Sequence, residues 1–289
     1  MIKTILVPAT GSEADVTTFT AALQVARMFA AHLDILHVRL DTVEVAVSMT
    51  ADAGGGGALT PGIIEQLDQE VSEREAKARR VFAEFCTRQG LDIVTAPTDG
   101  TTEPSAQWHV ETGQEPRWMA AYGMTADLIV ASRGTSDDAA ERSILEAVLL
   151  ETGRPLLVPS ASAAASAITD RIAIAWKPTP QAARAVALAM PFLARAKEIV
   201  VMTVEEEEGR RDDADRLVRN LAWHGFPATA QRLTPGPHGA AESLLVAAGS
   251  KADLLVLGGY GHSRLREWVF GGFTQQVLTN APIPVLIAH

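Results

Sequence analysis

With 289 residues, 47% of them hydrophobic, the chain can bury a full core and is long enough for one large domain or two of ordinary size, which excludes a disordered chain. Its formal net charge is -10 with Lys and Arg scattered, so an extended contact with nucleic acid phosphates or an anionic membrane surface is not expected. Cys86 is the single cysteine, which rules out an intramolecular disulfide and a cysteine-based zinc cluster.

The chain enters a strand-like run at once, MIKTILVPATG, leaving no room for the apolar region of a signal peptide, and no stretch of about eighteen apolar residues follows. A cytoplasmic protein is expected. Ile5 to Pro8 is a short apolar run bounded by turn residues, Val16 to Phe29 carries apolar residues at helical spacing, and DILHV reads as a second strand. Met49 to Gly62 is a glycine-rich loop without the preceding strand or following lysine of a phosphate-binding loop, and it reads as surface. A charged helix is expected from Ile63 to about Gln89. TADLIVASRG (125–134) and RPLLVP (154–159) supply two further apolar runs, and SASAAASAIT (160–169) is small, polar and uncharged, as a linker would be.

The pattern then starts again. DRIAIAWKPTPQAARAVALAMPFLARAKEIVVMTV from Asp170 matches the layout of KTILVPATGSEADVTTFTAALQVARMFAAHLDILHV from Lys3. KADLLVLGGYG (251–261) matches TADLIVASRG, and IPVLIA (283–288) matches RPLLVP. Repetition at this period means duplicated domains rather than a solenoid. Domains are expected at 1–160 and 170–289, joined by a linker at 161–169, with second-half strands near 171–176, 198–204, 228–233, 254–258 and 285–287 and a helix over 182–193. Alternating strands and helices imply an α/β fold, a doubly wound parallel sheet in each half with helices on both faces, and a ligand crevice outside the carboxyl ends of the strands.

Five glycines gather in GGYGHSRLREWVFGGFT (258–274), directly after the apolar run DLLVL. Glycine tolerates positive φ and leaves N–H groups uncovered, and Gly271 and Gly272 precede the helical run FTQQVLTN, where the helix dipole favours an anion. The same spacing also suits a tight turn with close helix packing, so the residues alone leave both roles open. Metal and nucleophile chemistry find little support: the seven histidines include no pair at helical metal-binding spacing, and no serine sits in a nucleophile elbow. His37 reads as a packed group at a strand end. His262 follows Gly261, with Ser263, Arg264 and Arg266 beside it, and reads either as part of a solvated loop or as a group that could touch a phosphate.

The glycine stretch resembles the nucleotide-loop signature of the universal stress proteins, G-x2-G-x9-G-S/T, and ILVPATGS, DILHV and LLETGRPLLVP extend that resemblance through both halves. The likeness is to the tandem members, in which two such domains share one chain. It implies a non-enzymatic stress-response protein whose two domains each hold a five-stranded parallel sheet in the order 3-2-1-4-5 and pair through their last strands, here 156–158 and 285–287. In one subset of the family ATP or AMP binds at the carboxyl ends of strands one and four. Carried over, Gly258, Gly261, Gly271, Gly272 and Thr274 would face phosphate, and Ala175, Trp176, Lys177, Val204 and Leu257 the nucleoside.

Lys177 stands where nucleotide-binding members carry an Asp, and a lysine cannot accept hydrogen bonds from a ribose or an adenine. Gly272 stands where the signature has a hydroxyl. The first half departs further: Thr10 replaces the Asp, only Gly134 remains of the first glycine pair, and Asp137 and Asp138 fall where a phosphate would lie. Residues 1–169 carry 12 Lys and Arg against 23 Asp and Glu, whereas residues 170–289 carry 13 against 12, so a polyphosphate is expected only in the second half. A weak nucleotide hydrolase using that loop and a ligand-free interaction module remain as alternatives, and a homodimer is open.

Overall fold

The computed structural model describes residues 1–45, 47, 61–97, 102–133, 139–160, 168–205, 213–259 and 272–289. The expectations for most of the glycine-rich loop after Met49, the 161–167 part of the linker, Gly134, Asp137, Asp138, Gly261, His262 and Gly271 lie outside the described residues.

In the first half, β1 (Thr4–Pro8), α1 (Ala14–Phe29) and β2 (His32–Arg39) are followed by the long helix α2 (Pro61–Gln89). Then come β3 (Asp92–Ile93), β4 (Ser105–Thr112), α3 (Glu115–Gly123), β5 (Leu128–Val130), α4 (Ala139–Glu151) and β6 (Leu156–Val158). The second half runs β7 (Arg171–Ala175), α5 (Pro180–Leu193), β8 (Glu198–Val204), α6 (Asp213–Trp223) and β9 (Ala228–Leu233), then α7 (Ala240–Lys251), β10 (Leu254–Gly258), α8 (Gly272–Asn280) and β11 (Val285–Ala288).

The eleven strands of the described residues share one sheet, in the order β3-β4-β2-β1-β5-β6-β11-β10-β7-β8-β9. The second half therefore holds five strands with its first, β7, between β8 and β10. The first half holds six rather than five, because the two-residue β3 adds to the outer edge by pairing Asp92 with Ser105 and Ile93 with Ala106. Every pairing is parallel except β6 with β11, which is antiparallel with Leu157 opposite Leu286. β5, β6 and β10 are almost wholly apolar because helices bury them on both faces.

One core lies on each face of the sheet, and each is built from both halves. Phe19 of α1, Phe82 and Phe85 of α2, Phe192 of α5 and Leu221 of α6 share the first. Met119 of α3, Val148 of α4, Leu244 of α7 and Val277 of α8 share the second. Ile168 and Thr169, the last residues of the linker stretch, are themselves buried, and Thr169 Oγ1 contacts Met28 Sδ at 3.6 Å.

The repeated Ala-Asp of TADLIV and KADLLV has a structural reason. Asp127 accepts from the amides of Lys3 (2.7 Å) and Thr4 (3.1 Å), and Asp253 accepts from the amide of Arg171 (3.1 Å) and from its guanidinium (2.8 Å). In each half this carboxylate satisfies amides at the amino end of the central strand, beyond the reach of the ladder.

Candidate functional site at the carboxyl ends of β7 and β10

The crevice-forming reversal of strand order in the second half falls at β7, whose neighbours are β8 and β10. Leu257 lies opposite Ala175, so the carboxyl ends of β7 and β10 stop side by side. Trp176 continues the ladder by donating its amide to Met202 O (2.8 Å), and Lys177 is exposed in the turn that follows, where its carbonyl accepts from Thr179 N (2.7 Å). Thr179 caps α5: its backbone is extended, its Oγ1 accepts from Ala182 N (3.2 Å), and Pro180 occupies the first turn. The amino end of α5 thus stands over the end of β10.

That proximity bears on the two roles left open for Gly258. Its φ is not positive, β10 runs through it opposite Ala288, and a Cβ there would lie 2.4 Å from Ala182 N and 2.6 Å from Gln181 C. Close passage of the α5 backbone, not a left-handed turn, requires the glycine. The adjoining Gly259 amide is already engaged by Ala288 O (2.8 Å). Gly272 opens α8 with nothing within 4 Å of its Cβ position, and Thr274 is buried within the first turn of that helix. Two helix amino ends therefore flank the crevice, α5 from one face of the sheet and α8 from the other.

Of the nucleoside-facing candidates, Ala175, Val204 and Leu257 share the α7 and α8 face, whereas Trp176 packs into the opposite core. The structure thus separates Trp176 from the other three. Its Nε1 is buried without a partner, as is Thr203 Oγ1.

The matching end of β1 is filled by the chain itself. Asp15, 2% exposed, accepts from Thr10 N (3.0 Å), Thr10 Oγ1 (2.9 Å) and Gly11 N (2.8 Å). Arg74 of α2 donates Nε to Thr10 O (2.6 Å) and reaches Glu115 at 3.4 Å. Gly11, at φ +76°, lies so close to α2 that a Cβ would come 3.0 Å from Arg74 O. The amides that could meet an anion there already serve Asp15. Neither Asp15 nor Arg74 was singled out by sequence. The available signal was a carboxylate at position 15 on the same helical face as Phe19, Ala22 and Ala26, all fully buried.

His37, read from sequence as a packed strand-end group, is buried, donates Nδ1–H to Ala9 O (2.7 Å) and stacks on Trp108. Burial lowers its pKa, partly offset by the Ala9 carbonyl. The unfolded chain takes up this proton near pH 6.5 and the folded one only at lower pH, so stability is full above about pH 7 and falls on acidification. Urea midpoints at pH 7.5 and 5.5 are expected to differ more for the parent than for His37→Gln; equal differences would refute the assignment.

A second histidine cluster lies on β2 and β4. His109 Nε2 is 2.9 Å and His32 Nε2 3.6 Å from Asp34 Oδ1, and His32 Nδ1 meets Ser105 Oγ at 2.8 Å. Strand register, which a search at helical spacing does not sample, brings them together. Among the described residues no group of His, Cys, Asp or Glu is arranged to hold a metal ion, and no helix is long and apolar enough to cross a membrane.

A doubly wound α/β sheet with a crevice at the strand-order reversal defines the structural class. Residues 169–289 match the model of the universal stress protein family. Over its whole length the fold is similar to that of a universal stress protein from Archaeoglobus fulgidus DSM 4304, at 14% identity and a TM-score of 0.69, covering 99% of this chain and 95% of that one. It is also similar to a functionally unknown protein from Pseudomonas aeruginosa PAO1, at 15% identity and a TM-score of 0.59, covering 99% and 92%. The cytoplasmic domain of a prokaryotic cation chloride cotransporter shares the fold at 12% identity and a TM-score of 0.51, covering 99% and 95%. No curated protein matches the chain by sequence. At these identities the structural likeness carries the fold alone.

Proposed function

We propose that the chain is a tandem universal stress protein, non-enzymatic and cytoplasmic, that binds one ATP or AMP at the carboxyl ends of β7 and β10. The observation that carries this reading is the contrast between two equivalent crevices. The second-half crevice is flanked by the amino ends of α5 and α8, whose dipoles favour a phosphate, and the first-half crevice is occupied by Asp15 beneath α2. Domains at 1–160 and 170–289 follow from the repeat, and the β6–β11 ladder supports their acting as a fixed pair.

Titration calorimetry with ATP tests the reading. One site per chain is expected, Gly261→Val should weaken it about ten- to a hundredfold if that backbone is strained, and Gly134→Val should leave it unchanged. Two sites per chain, or equal losses from both variants, would overturn it. The buried Thr274 and the packed Trp176 favour a second reading, a ligand-free interaction module, which absence of any ATP binding would support.

A further inference from the structure

Arg133 follows β5, in the repeat position that Gly259 holds after β10. Its side chain leaves its own half. Nη1 donates to Thr279 O (2.9 Å), and Nη2 donates to Ala281 O (2.9 Å) and Pro159 O (3.1 Å). Thr279 lies in the last turn of α8 and Ala281 just past it, where helix carbonyls lack intrahelical partners and the dipole is negative. A planar guanidinium can hold two such carbonyls in a fixed relation, which a lysine ammonium cannot. Burial lowers the Arg133 pKa without discharging so strong a base, and its Nε is buried without a partner. The site is therefore costly to maintain.

The first half also touches the other boundary of the glycine stretch. A Cβ on Gly259 would lie 3.2 Å from Leu149 Cδ2 of α4, so that helix packs on the residue directly after β10. Gly259 lies between Leu149 of the first half and Ile287 of its own half, and the carboxyl end of α8 is held by Arg133.

We infer that Arg133 is a positioning residue for the second-half crevice: by fixing the carboxyl end of α8 it sets where the amino end of that helix stands against β10, and so tunes affinity for a nucleoside polyphosphate. The inference rests on the nucleotide reading above. It gives the first half a role in a site it does not line, and makes the loss of a ligand there compatible with its retention.

The α8 amino end acts on phosphates, so the effect should grow with phosphate charge. In calorimetry, Arg133→Gln is expected to weaken ATP about tenfold and AMP by less than about threefold, with Arg133→Lys between parent and Gln for ATP. A merely structural tie would lower the melting temperature and weaken both nucleotides by the same factor. Without ligand, amide exchange over Gln275 to Asn280 should rise in Arg133→Gln while that of α7 stays as in the parent. Unchanged ATP affinity, equal losses for ATP and AMP, or unchanged α8 exchange would each overturn the inference while leaving nucleotide binding intact. Absence of ATP binding by the parent would sink the nucleotide reading and this inference together.

Discussion

Gly258→Ala is expected to destabilise the protein by about 3 kcal/mol, near the upper end for an overpacked core. The new methyl would meet Ala182 N at 2.4 Å, Gln181 C at 2.6 Å and Ala182 Cα at 2.8 Å, all main-chain atoms that no side-chain rotation can move aside. Neither partner is free to retreat. β10 is paired on both sides, with β7 and β11, and α5 is fixed at that end by the Thr179 cap and farther along by Ala185, Ala189 and Phe192 in the core. Because φ at Gly258 is not left-handed, alanine has no backbone penalty there, so the loss isolates the close approach from conformational freedom. Gly272→Ala is the control: with nothing within 4 Å of its Cβ position, it should change stability by less than about 1 kcal/mol. Urea denaturation of both variants decides the matter, and a Gly258→Ala protein as stable as the parent would refute the packing role.

Asp15→Ala should cost about 2–4 kcal/mol, because it removes one buried acceptor and strands several donors. Thr10 N, Thr10 Oγ1 and Gly11 N all point at this carboxylate, and α2 covers the turn through Arg74. Asp15→Asn should recover little of the loss. The two main-chain amides use different carboxylate oxygens, so an amide side chain would turn its NH2 toward one of them, donor against donor. Equilibrium unfolding at neutral pH is the measurement, and a cost under about 1 kcal/mol for Asp15→Ala would mean that water replaces the carboxylate.

The strands of the second half were legible because apolar runs such as Ile172 to Ile174 and Leu254 to Leu257 are buried on both faces and end near turn residues. The same logic failed for β3, whose two residues are exposed and exist as a strand only through β4. At the site, the glycine stretch and the option of close helix packing were visible, but the partners of Gly258 were not, since Gln181 and Ala182 are brought against it by the topology and lie far away in sequence. The expectation that the first half holds no polyphosphate came from the missing glycines and from Asp137 and Asp138, which lie outside the described residues. The turn after β1 is closed by Asp15 and by Arg74, which lies 64 positions from the Thr10 carbonyl it meets, and only folding reports it. Trp176, carried over by position as a nucleoside-facing residue, is partly buried against the core that α5 and α6 share.

The antiparallel seam between β6 and β11 also fixes an order of events during synthesis. Leu156 to Val158 are complete roughly 130 residues before the strand that covers them is made, and at about 5–20 residues per second that interval is on the order of ten seconds. Throughout it, a finished first half presents a bare leucine-rich edge of hydrogen-bonding groups. An antiparallel edge is self-complementary, so two nascent chains on one messenger can close it on each other before either closes it on itself. The seam that unites the folded molecule is thus its point of greatest exposure on the ribosome, and the short three-residue length of β6 limits how strongly such a mispaired contact can hold.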